Sequence, residues 1–144
     1  AERMITLYLS IAQILSRDPT FIQNAKNAVA KMRNSGWELD SEKNSSMLYN
    51  LACWYGIADS TNIGVAQAKQ EARCIITMCI AREPDYLVRA YQDPDLKSIS
   101  DEKGWQNLRR LLRRNRNQFP NLSELKDPDF SNIINGILQQ MQWS

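Results

Sequence analysis

Residues 48–84 read LYNLACWYGIADSTNIGVAQAKQEARCIITMCIAREP. In the first half, Leu48, Leu51, Ala52 and Tyr55 stand three and four apart and share one helical face. In the second half, Ala72, Ile76 and Cys79 recur along another helical run, with Pro84 just past its end. Large side chains alternate with small ones on both faces, so two helices can approach closely. This is the pattern of a helix–turn–helix unit that stacks on similar units. Such a unit offers a surface rather than a reaction centre.

Outward from this core, the same periodicity extends in both directions. The third helix is expected over 44–58, after a polar run of N-cap residues, Asp40–Ser46. Its second apolar strip, Tyr49, Cys53 and Ile57, demands neighbours on both sides and a central position. The fourth helix is expected over 65–82. Upstream, Phe21, Ile22, Ala25, Ala28, Val29 and Met32 fit an amphipathic helix over 20–34, closed by Gly36 in a left-handed conformation with Trp37 folded back on Met32. Residues 4–15 are apolar almost all round, with Thr6, Ser10 and Gln13 as a narrow polar stripe. A helix of that kind is covered on most sides, by this chain, by more of a longer protein or by a second copy.

An acid precedes proline four times, at Asp18-Pro19, Glu83-Pro84, Asp93-Pro94 and Asp127-Pro128. The acid accepts from free amides at a helix start, and Pro is pre-set for the first helical position. The aspartates at 93, 95, 127 and 129 are therefore read as helix openers rather than as metal ligands or acid–base pairs. Downstream, helices are predicted over 101–115, with Trp105, Leu108, Leu111 and Leu112 inward, and over 128–141. The second has the stripe Phe130, Ile133, Ile134, Ile137, Leu138 and Met141. No segment alternates with period two for long enough to form a strand, so the chain is expected to be all-α.

The composition narrows the function. The 144 residues fit one domain, 1–144, with 43% hydrophobic and 24% charged residues and a net charge of +2. The longest apolar run, Cys74–Ala81, is far shorter than the roughly 18 residues of a membrane span. Three cysteines without CxxC spacing, in a chain with no His, suggest buried reduced thiols in a cytoplasmic protein, with neither disulfides nor a metal site. Without His the commonest general base is missing, and no phosphate-binding glycine loop is present. The chain is not expected to be an enzyme or to need a cofactor. Beginning at Ala1 inside a helical pattern, it is expected to be a piece of a longer protein.

Residues 45–96 resemble a tetratricopeptide repeat: Leu48, Leu51, Ala52 and Tyr55 match the first helix, and Ala72, Ile76, Cys79 and Pro84 match the second. Asp93-Pro94-Asp95-Leu96 is similar to the exit of terminal repeats. The link between the helices is about eight residues longer than a 34-residue repeat allows. The resemblance implies antiparallel helix pairs, 4–34 and 44–96, stacked as a short right-handed superhelix with C-terminal capping helices over 101–141. It also implies a peptide or protein partner, or another domain of the same parent, held in a groove lined by Tyr49, Asn50, Cys53 and Ile57.

The alternative surface is basic. Arg109, Arg110, Arg113 and Arg114, with Arg116 beyond, share the face opposite Leu108, Leu111 and Leu112, and no acid falls between Lys103 and Ser123. Such a helix suits nucleic acid or another polyanion.

Overall fold

The computed structural model describes residues 2–83 and 86–99, and every regular element among them is helical. In chain order these are α1 (Glu2–Leu15), α2 (Pro19–Arg33), a 3-10 turn (Leu39–Ser41), α3 (Ser45–Ser60), α4 (Ala68–Arg82), α5 (Tyr86–Gln92) and a 3-10 stretch (Pro94–Ile99). The expected all-α class is found, with no strand among the described residues. The helices expected over 101–115 and 128–141, the arginines at 109, 110, 113, 114 and 116, and Pro84 lie outside the described residues.

Local chemistry sets the boundaries. Asp18 is extended, and its carboxylate accepts from the amides of Thr20 at 2.8 Å and Phe21 at 3.2 Å, with Pro19 in the first turn of α2. Asn44 caps α3 in the same way, accepting from Ser46 and Met47. Each cap contributes about 1 kcal/mol. Past α2, Gly36 takes φ +83°, as expected. The buried Trp37 is anchored by its indole N–H, which donates to Glu42 Oε1 at 3.1 Å, and by the Arg3 guanidinium stacked 4.8 Å from its ring centre. α4 starts at Ala68 rather than at 65, because Gly64 and Gln67 are both left-handed (φ +81° and +56°) and end any continuous helix between them.

α3 is the centre of the fold. It packs against α1, α4 and the Pro94–Ile99 stretch, and its side chains from Met47 to Ala58, Asn50 apart, are buried. α3 and α4 run antiparallel. The Cys79 thiol, near the end of α4, lies 3.7 Å from the Ser45 carbonyl at the start of α3, and the Arg82 guanidinium donates to the Glu42 carbonyl. Leu48, Leu51, Ala52, Ala72, Ile76 and Cys79 are all fully buried. Each large aliphatic side chain among them contributes about 1.5–3 kcal/mol. The alanines allow the two backbones to come close. Arg33 ties the first pair to the second, donating from Nη1 to Tyr55 Oη at 2.7 Å and to Glu71 Oε2 at 3.1 Å.

The orientation of α1 differs from the pattern in its sequence. Leu7, Ser10 and Ile14 face inward, with Met4 and Ile11 beside them. Ser10 from the polar stripe is therefore buried, while Ile5, Tyr8, Leu9 and Leu15 lie 56–65% exposed. Ser10 lies between Leu7 and Ile14 on the buried side, and among the described residues nothing buries the bulky side chains on the opposite side.

Candidate interaction surfaces

Three of the four groove candidates are covered. Tyr49, Cys53 and Ile57 are buried, and Tyr49 and Cys53 face residues 86–99. The Tyr49 ring stacks on Tyr86 with centroids 5.3 Å apart, and the Arg89 guanidinium lies 4.4 Å from its centre on a cation–π contact. Its hydroxyl donates to Asp93 Oδ2 at 2.7 Å, and the Cys53 thiol donates to the same oxygen at 3.6 Å. The other Asp93 oxygen accepts from the Asp95 amide at 3.0 Å. One carboxylate thus opens the Pro94–Ile99 stretch and also holds it on α3. Gly56 permits this approach, since a Cβ there would lie 2.2 Å from the Asp95 carbonyl oxygen. Asn50 alone keeps partial exposure, and its amide donates to the Ser46 carbonyl at 2.8 Å and lies 3.3 Å from Met4 Sδ.

The surroundings keep both donors to Asp93 protonated. Burial, and then the hydrogen bond to Asp93, push the Tyr49 hydroxyl well above its usual 10. Burial, and then the charges of Asp93 and Asp95, push the Cys53 thiol far above 9. Cys53, Asp93 and Asp95 bring a sulfur and two carboxylate oxygens within 4.8 Å of one another, all of metal-ligand type. In this arrangement the Cys53 sulfur donates a hydrogen bond to the Asp93 carboxylate and ties α3 to the Pro94–Ile99 stretch.

Two outcomes follow from these surroundings. In the native protein near about pH 8 the exposed Cys74 is expected to take up a maleimide, while Cys53 and Cys79 stay unlabelled until denaturant is added. The Cys79 thiol is pushed up to about 12 by burial. Mass spectrometry of the labelled chain reads this directly, and rapid triple labelling would contradict the packing. The second outcome concerns Asp95, whose carboxyl is raised above 3.8 by burial and then by Asp93. A raised folded value means a contribution that is intact below 3.8 and lost as pH rises, leaving the ionised carboxylate unfavourable at neutral pH. Asp95→Asn is therefore expected to stabilise the fold at neutral pH by up to about 1 kcal/mol, solvent screening included. Urea titrations should show that gain vanishing in acid.

Two other surfaces remain. A cleft of about 910 Å³ lies between the start of α1, the end of α2 and the start of α3, lined among others by Glu2, Arg3, Lys31, Met32, Glu42 and Met47. Its charges balance, and Arg3 and Glu42 approach to 3.8 Å, so it favours neither an anion nor a cation. The other is the outer face of α1, where Ile5, Tyr8, Leu9 and Leu15 form one stripe, with Phe21 exposed just past the turn into α2. These five are the exposed large hydrophobic side chains of the described residues.

The apolar count of residues 4–15 was visible in the sequence, but which side would stay bare was not. The Asp93 latch was also hidden, since Asp93-Pro94 reads equally well as a plain helix cap. No helix among the described residues is long and apolar enough to cross a membrane. Comparison with family models, curated proteins and solved structures finds no match to this chain.

Proposed function

We propose that the chain is a non-catalytic protein–protein interaction or regulatory module, a tetratricopeptide-like stack of helix pairs that docks partners on the outer face of α1. The observation that carries this reading is the stripe of Ile5, Tyr8, Leu9 and Leu15 at one edge of the stack. In helical-repeat arrays the outermost helix needs a polar outer surface to stay soluble. α1 has the reverse, so this edge is suited to receive a further helix. A fitting partner is an amphipathic helix that lays its apolar stripe against that face. The groove implied by the tetratricopeptide resemblance is a less accessible site, because a peptide contacting Tyr49 and Cys53 would first have to displace residues 86–99.

A non-catalytic role is supported by the burial of the Cys53 and Cys79 thiols, which keeps both protonated and out of reach of a substrate. Free buried thiols also suit a reducing, cytoplasmic setting.

Affinity capture from an extract of the source cells, with the full chain and with Leu9→Asp as baits, tests the reading. Leu9 is exposed, so circular dichroism should be unchanged. Partners are expected on the parent and absent from the variant. An identical set of proteins on both baits would remove α1 as the docking face.

A further inference from the structure

We infer that the outer face of α1 is the seat of a second copy of this chain, the two α1 helices packing antiparallel across a two-fold axis. The inference rests on the reading of α1 as a docking face and names what docks there. The exposed stripe runs Ile5, Tyr8, Leu9, Ala12 and Leu15, with spacings that keep one face over the whole helix. Within it, Ile5, Tyr8, Ala12 and Leu15 repeat as the a and d positions of a helix–helix seam. Residues 4–16 carry no charged side chain. A two-fold interface sets residues near the axis against their own counterparts, so a charge there would meet its like. A face that pairs with itself has to be uncharged, and this one is. A foreign helix would demand no such neutrality, since it can answer a charge with the opposite one.

The side-chain sizes fit as well. In an antiparallel pair centred on residue 10, Ile5 lies level with the partner's Leu15, and the large Tyr8 with the partner's small Ala12. Parallel pairing would set Tyr8 against Tyr8. Antiparallel pairing also brings the exposed Glu2 beside the partner's exposed Arg17 at each end and opposes the two helix dipoles. Parallel pairing would place each of these charges on its like.

The area is sufficient. A fully exposed side chain of this size shows about 200 Å². At exposures of 48–65%, Ile5, Tyr8, Leu9, Leu15 and Phe21 together leave on the order of 600 Å² on each copy. Two copies therefore bring on the order of 1,200 Å² of apolar surface to the contact, the lower end of specific interfaces, before Ala12 and Ser16 are added. A patch of that size is at the upper end of what monomeric proteins leave bare.

Light scattering on the full chain, from about 5 to about 200 µM, tests this. The expected mass at the upper end is twice 16.6 kDa. Leu9→Asp puts two carboxylates beside the axis and should weaken the dimer about a hundredfold or more, with circular dichroism unchanged. The geometry is read in a Cys74→Ser background, where Tyr8→Cys and Ala12→Cys chains are mixed and mildly oxidised. The expected product is the mixed disulfide between positions 8 and 12, in excess of either symmetric one, because level positions meet the reach of the bond. A monomeric parent at every concentration, a dimer indifferent to Leu9→Asp, or symmetric disulfides in excess would each overturn the inference. Failure of the docking face is read separately, in the capture experiment: partners lost with Leu9→Asp from a monomeric parent would keep the face and remove the second copy.

Discussion

Asp93→Ala is expected to lower the unfolding free energy by about 2–4 kcal/mol and to open Cys53 to thiol reagents in the native state. The substitution removes the acceptor for two buried donors at once, the Tyr49 hydroxyl and the Cys53 thiol. A buried hydroxyl left without a partner costs about 1–3 kcal/mol, and a hydrogen bond to a charged group contributes about 1.5–3. The cap on the Asp95 amide is lost as well. Tyr86 and Leu96 would still pack, so α3 and α4 should stay paired while residues 86–99 loosen. Asp93→Asn, which keeps an acceptor of the same shape, should fall between the two. Urea unfolding gives the first number, and the native-state labelling rate of Cys53 gives the second. A loss below about 0.5 kcal/mol with Cys53 still protected would mean that apolar packing alone holds 86–99 in place.

Where local pattern and packing agree, the sequence was readable. Ala25, Val29 and Met32 repeat at helical spacing and are buried, Asp18 caps where expected, Asn44 from the polar run 40–46 caps α3, and the doubled apolar strip on 44–58 announced the central helix. The start of α4 was misplaced because left-handed backbone at Gln67, a residue with no special liking for it, is imposed by the turn rather than encoded by the side chain. Tyr49, Cys53 and Ile57 stand four apart along α3 and are buried. What covers Tyr49 and Cys53 depends on a contact between residue 49 and residue 93, and long-range pairing of that kind leaves no periodic trace. In α1 the hydrophobic count argued for burial on most sides. The structure instead turns Leu7, Ser10 and Ile14 inward and leaves the opposite stripe exposed.

The orientation of α1 underlies the docking face, and Leu7 and Leu9 report it with identical chemistry. Leu7 is fully buried, whereas Leu9 is 57% exposed. Leu7→Ala leaves a cavity between α1 and the helices beneath it, and should cost about 2–5 kcal/mol. Leu9→Ala should change stability by less than about 1 kcal/mol, a surface effect. The most direct measurement is the urea unfolding free energy of these two variants of the full chain, side by side. The expected result is a large loss for Leu7→Ala and a small one for Leu9→Ala. The reverse order would turn α1 over, bury its apolar stripe in the core and leave no face for a partner to meet.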